Sequence, residues 1–211
     1  MKIDIITLFP KQIEAFTSEG IFRIASANGH TVVAHDLRKW TSDKHKTVDD
    51  RPFGGGAGMV MKIEPLYEAV SELKTKDSYI ILTGLRGEKL TTPKVKSFSK
   101  HTHIIIICGH YEGVDERVRE HIADEEISVG DYVLSGGELP ALTIADAVLR
   151  QQPGVLGNPS SLAEESFEEG LEVEYPQYTR PESFRGWKVP EILLSGNHAQ
   201  VASWRKANAA K

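Results

Sequence analysis

The chain has 211 residues, 40% hydrophobic and 26% charged, with a net charge of -5, enough for one good core with room for a second small unit. A single cysteine, Cys108, excludes an intrachain disulfide and metal clusters built from several thiolates, and fits a reducing cytoplasm. No apolar run approaches the roughly 20 residues that span a bilayer, and the opening segment, with Asp4 inside its apolar run and no small-residue cleavage site, does not read as a signal peptide, so a soluble protein without membrane contact is expected.

Charge is unevenly spread. Residues 38–100 hold 13 Lys/Arg against 8 Asp/Glu, residues 112–174 hold 3 against 16, and residues 175–211 hold 6 against 2. Solvated faces that happen to cluster would read this way. So would two basic segments gripping phosphates around a catalytic carboxylate.

In chain order, residues 2–9 and 31–35 predict short strands around a helix near 10–28 that ends at Asn28-Gly29. Residues 41–58, with the run Arg51-Pro-Phe-Gly-Gly-Gly-Ala-Gly58, predict a long loop, and a helix is expected over 64–74. Tyr79–Thr83 and Ile104–Cys108 are continuous apolar runs, each followed by Gly, as strands buried on both faces of a parallel sheet read, with a helical crossover between them. Glu126–Leu134 predicts a strand interrupted by Gly130, and Leu139–Arg150 a helix. The alternation gives an α/β fold with a parallel sheet. Residues 158–174 are acidic and poor in apolar side chains, a linker. Residues 175–211 are too few for an independent core and predict the start of a small, incomplete helical unit.

Three Gly-containing turns, Thr83-Gly84, Gly109-His-Tyr-Glu-Gly113 and Ser135-Gly-Gly137, fall at predicted strand ends. Each alone is an ordinary tight turn; together they suggest a shared pocket, because open α/β sheets bind ligands at those ends. No Gly-x-Gly-x-x-Gly, Walker, Gly-x-Ser-x-Gly or His-Glu-x-x-His pattern occurs, which argues against nucleotide-phosphate, hydride-transfer and hydrolase sites. The eight histidines show no metal-ligand spacing, and no metal site is assigned. The carboxylates of Leu162–Glu169 read equally as a solvated tether, and Arg150 as a cation at a helix C-terminus.

Five strings, Thr47–Met59, Cys108–Arg117, Val129–Pro140, Pro153–Gly157 and Leu193–His198, closely resemble, in order and nearly end to end, the bacterial tRNA (guanine-N1)-methyltransferases, the TrmD family. The resemblance implies a SPOUT methyltransferase domain over 1–157 with a C-terminal trefoil knot, then the linker and a shortened helical tRNA-binding domain. It implies a homodimer with each active site at the subunit interface. It also implies that Leu82, Thr83, Gly84, Gly109, Glu112, Val129, Gly130, Asp131, Tyr132, Val133, Leu134, Gly136, Gly137 and Pro140 hold S-adenosylmethionine. Magnesium dependence comes with the family. The implied reaction methylates N1 of guanine 37 of tRNA, next to the anticodon. Guanine N1 carries a proton, so a general base must remove it as the methyl is attacked; that base maps to Glu165. Arg150 maps to the donor that meets negative charge growing on the guanine carbonyl.

The chain departs from the family pattern in Glu165, where Asp is usual, in His110, where Arg is common, and in a shorter C-terminal part. Two alternatives stay open at this point. One is a catalytically impaired cofactor- and RNA-binding SPOUT protein, the other a SPOUT relative acting at another RNA position.

Overall fold

In the computed structural model, which describes residues 1–157, 166–167 and 173–209, the first apolar run becomes strand β1, Lys2–Thr7. Where one helix is predicted over 10–28 there are two, α1 (Pro10–Thr17) and α2 (Gly20–Ala27). The break falls at Ser18 and Glu19, where Glu19 is extended, and the chain re-enters a helix at Gly20, whose φ of 60° is a conformation glycine adopts without the penalty other residues meet. β2 (Thr31–Asp36) follows, then a single 3₁₀ turn at Leu37–Trp40. The long loop is not structureless, since β3 (Asp49–Asp50) and β4 (Val60–Met61) pair antiparallel across its base.

Next come α3 (Ile63–Leu73), β5 (Ser78–Lys89), α4 (Thr92–Phe98) and β6 (His103–Cys108). A helix absent from the sequence reading, α5 (Glu116–His121), precedes β7 (Glu125–Ser128) and α6 (Glu138–Arg150). β7 stops well short of the predicted Leu134. It is an edge strand with β5 as its one neighbour, and the Ser128 hydroxyl donates to Gly130 O at 3.1 Å while accepting from Gly130 N at 3.3 Å. Such local bonds offer the backbone an alternative to the ladder. Residues 129–137 thereby leave the sheet.

The five strands run parallel in the order β2-β1-β6-β5-β7. Successive side chains of a strand point to opposite faces, so strands covered by helices on both sides must be apolar throughout; every residue of β6 is buried. On one face Ile3, Ile5, Ile104 and Ile106 pack with Phe22, Phe98 and the α6 residues Ile144, Val148 and Leu149. On the other, Ile6, Ile80, Ile105 and Ile107 pack with Leu66 and Val70 of α3 and Val118 of α5. Asp4 is a charge inside this interior, fully buried, with His35 Nε2 at 2.8 Å, His103 Nε2 at 2.7 Å and Lys2 Nζ at 2.7 Å.

The chain divides into two compact units, Met1–Gly157, which holds this sheet, and Asn158–Lys211. Within the described part of the second unit, β8 (Ser183–Phe184) and β9 (Trp187–Lys188) form an antiparallel hairpin. Its turn residues Arg185 and Gly186 have φ of 53° and 84°, the pair of positive angles that matches the twist of a two-residue hairpin. Two helices follow, α7 (Glu191–Leu194) and α8 (His198–Asn208), the latter capped by the Asn197 side chain accepting from Gln200 N. Both helices and the hairpin lie within the stretch 175–211, and the hairpin is not part of the sequence reading. Among the described residues no helix is long and apolar enough to cross a membrane.

Candidate functional site

β6, β5 and β7 are neighbours in the sheet and all parallel, so the loops leaving β6 and β7 emerge on either side of β5. Residues 84–86, which lie inside β5 at its irregularity between Thr83 and Glu88 and not in the strand-end turn predicted at Thr83-Gly84, face a single cavity of about 340 Å³ together with residues 109–114 and, apart from Asp131, 129–137. This is the end of an open α/β sheet at which ligands bind.

The loops lie against one another more closely than side chains allow. A Cβ on Gly137 would sit 2.1 Å from Thr83 Oγ1 and 2.7 Å from both Cys108 Cα and Gly109 N. Gly137 N donates to Gly109 O at 2.8 Å. Thr83 Oγ1 donates to Ile107 O at 3.1 Å and accepts from Gly109 N at 3.2 Å. The Gly-rich loop is held here too: Glu112 N donates to Met59 O at 3.0 Å, and a Cβ on Gly58 would meet the Glu112 side chain at 2.4 Å. Backbone polar groups can therefore line a narrow site with their geometry set before any ligand arrives.

Charged side chains of both signs line the cavity, Glu112 and Glu126 with Arg86 and Arg119. Glu138, buried at the start of α6, accepts from Thr7 Oγ1 at 2.7 Å and faces His110 Nε2 at 3.4 Å. Burial, reinforced by the charge of Glu138, pushes the Cys108 thiol well above its ordinary range. Glu126 accepts from Arg86 N at 3.2 Å. The Arg86 and Arg119 guanidinia both reach Glu116 and hold its carboxyl below the usual range.

Of the residues singled out in the sequence, Leu82, Thr83, Gly84, Gly109, Glu112, Val129, Gly130, Tyr132, Val133, Leu134, Gly136, Gly137 and Pro140 all line this cavity. Asp131 is exposed and paired with Lys89 instead. Arg150 is the last residue of α6, ten positions beyond Pro140 and so about 15 Å further along the helix axis at 1.5 Å per residue. Glu165 lies outside the described residues. His110 lines the cavity within the turn that the sequence singled out, while sequence reasoning missed Arg86, Arg119 and Glu126 as lining residues. Their only local signal was charge, which a solvated surface carries equally. Among the described residues no group of three or more His, Cys, Asp or Glu could hold a metal ion.

The family described as tRNA (Guanine-1)-methyltransferase TrmD matches residues 1–211. Curated relatives include a tRNA (guanine-N(1)-)-methyltransferase of Geobacillus kaustophilus, 51% identical over 209 residues that cover 98% of this chain and 85% of the relative. Proteins of the same name in Dictyoglomus turgidum and Citrifermentans bemidjiense are 51% and 53% identical, covering 100% and 98% of this chain and 86% and 84% of their own lengths. With a match from the first residue to the last and half of all positions identical, the chain belongs to the tRNA (guanine-1)-methyltransferase TrmD family.

Proposed function

We propose that the protein is a tRNA (guanine-N1)-methyltransferase acting on guanine 37, with S-adenosylmethionine as methyl donor. The observation that carries this reading is the convergence of the irregular segment of β5 and two strand-end loops on one preshaped cavity, in a chain whose relatives are named tRNA (guanine-N(1)-)-methyltransferases. The cavity suits the donor. Leu82, Val133, Leu134 and Pro140 offer apolar surface, residues 129–137 offer backbone donors and acceptors, and Glu112 and Glu126 supply negative charge for a cationic ligand. The donor brings an activated methyl on a sulfonium; the chain must bind, orient and deprotonate.

Glu165 takes the N1 proton, which leaves the ring nitrogen with the electron pair for the new bond to the methyl; the bound donor would supply that methyl as its methyl–sulfur bond breaks and the sulfur departs as a neutral thioether. Arg150 donates to the guanine carbonyl oxygen, where negative charge grows as the proton leaves, a task its always-charged planar fork suits. The separation of Arg150 from the cavity along α6 is accommodated if two copies build each site, and a homodimer is part of this reading. Magnesium dependence, which the resemblance implies, belongs to it as well, as does a cytoplasmic location. Nothing in the comparisons or the geometry favours a binding protein without catalysis, or a different RNA position.

The test is transfer of labelled methyl to a transcript with guanine at position 37, to the same transcript with that base replaced, and with and without magnesium. Arg150→Ala and Glu165→Ala are expected to abolish transfer while calorimetry shows the donor still bound. Full turnover in both variants would remove the mechanism, and transfer to the position-37 variant would remove the target.

A further inference from the structure

The β8–β9 hairpin presents a surface that the described residues of its unit leave open. Phe184 and Trp187 face each other as a cross-strand pair, ring centroids 6.1 Å apart, and are 53% and 73% exposed. Two aromatic rings of this size normally go to a core or an interface. Strands of two residues cannot sheathe them, and a hairpin so short has little stability of its own.

The chemistry around the rings says what kind of partner fits. The Arg185 guanidinium stands over the Phe184 ring, 5.4 Å from its centroid, and Lys188 follows Trp187 directly, so that Ser183–Lys188 carries two cations and no carboxylate. The surrounding stretch 175–211 is itself basic, with 6 Lys/Arg against 2 Asp/Glu. Exposed aromatic faces interleaved with guanidinium and ammonium groups make the arrangement that holds unpaired nucleotides, bases stacking on rings while cations meet phosphates. A neutral apolar protein surface would leave both cations to be desolvated without partners. Accordingly we propose that the hairpin tip Phe184–Lys188 is a base-stacking platform for an unpaired nucleotide of the tRNA, with Trp187 as the stacking face and Arg185 and Lys188 as phosphate contacts. This rests on the reading of tRNA as the substrate. The platform is a binding element, separate from the groups assigned to proton and methyl transfer.

The test uses the full chain and an in vitro transcribed tRNA with guanine 37, with affinity followed by fluorescence anisotropy over a range of salt. Trp187→Ala is expected to weaken binding by roughly 10- to 100-fold, the scale of one lost stacking contact, and Trp187→Phe to recover most of it. Lys188→Ala should give a smaller loss and reduce the slope of log affinity against log salt by about one. Calorimetric affinity for S-adenosylmethionine and the sedimentation coefficient should not move in any variant. Unchanged tRNA affinity in Trp187→Ala, while the unsubstituted protein binds and methylates tRNA, overturns the platform and leaves the function standing. A loss of affinity that comes with a smaller sedimenting species also overturns it, assigning the rings to a contact between copies of this chain. Failure of the unsubstituted protein both to bind and to methylate tRNA sinks the underlying reading and the platform with it.

Discussion

The hydroxyl of Thr7 donates a 2.7 Å hydrogen bond to the buried carboxylate of Glu138, 131 positions away. It ties the end of β1 to the first turn of α6, directly beneath the cavity. Thr7→Val keeps the shape of the side chain and removes the donor, leaving that oxygen of a buried charge without its partner. The cost is about 2 kcal/mol of stability, read as a lower denaturation midpoint in urea at unchanged slope. A midpoint equal to that of the unsubstituted protein would show that the carboxylate finds another donor.

Gly137 answers a different question, whether the cavity depends on backbone contact between its loops. Gly137→Ala puts a methyl within 2.7 Å of the backbone of Cys108 and Gly109, which cannot rotate away as a side chain would. Affinity for S-adenosylmethionine should fall by more than about tenfold, since a misplacement near 1 Å is enough for effects of that order. Gly157→Ala, where nothing lies within 4 Å of the added carbon, is the matched control and should bind normally by calorimetry.

Acid stability follows from Asp4. Burial raises its pKa, but hydrogen bonds from His35, Lys2 and His103 outweigh that and hold it at about 2, below the ordinary 3.8. A carboxyl depressed on folding stabilises fully above its unfolded value, and the benefit drains away as pH falls toward the folded one. About 2 kcal/mol should therefore be lost between roughly pH 4 and pH 2. Asp4→Asn should be less stable at neutral pH and lose this share of the acid limb in pH-dependent unfolding. An identical pH profile for the two proteins would refute the assignment.

Cys108 is fully enclosed, with its thiol held well above the ordinary range by burial and by Glu138. Because the thiolate is the reactive form, a thiol-specific colorimetric reagent at pH 8 should leave the folded protein unmodified and label one thiol per chain only in denaturant. Rapid labelling of the folded protein would mean that the strand end beside the cavity opens readily.

Much of this molecule can be read from the chain. The runs Tyr79–Thr83 and Ile104–Cys108 state their strands because a parallel sheet covered on both faces tolerates no alternation, and Gly109 marks a loop that lines the cavity, whereas Gly84 falls at an irregularity inside β5, which runs on to Lys89. Extended motifs such as Val129–Pro140 and Cys108–Arg117 carry the family. What stayed hidden has a common cause in the non-local character of the contacts. One helical period spans Pro10–Ala27, and extended backbone at Glu19 with the positive φ of Gly20 divides it. β7 ends at Ser128 because an edge strand loses its ladder to a local hydroxyl. The apolar run Val129–Leu134 then serves the cavity, though its spelling suits a strand equally well.

The residues beside the cavity divide along the same line. By itself the sequence determined the strands, the glycine turns and the motif order, since these depend on the properties of neighbours along the chain. Only the tertiary structure decided that Thr83, Gly109 and Gly137 meet within a methyl's width, that Glu126 and Arg86 join them, that Asp131 turns away toward Lys89, and that Thr7 satisfies Glu138. Those outcomes depend on which strands lie side by side, and strand order in a parallel sheet is set by the packing of the crossover helices, which no local pattern of residues encodes.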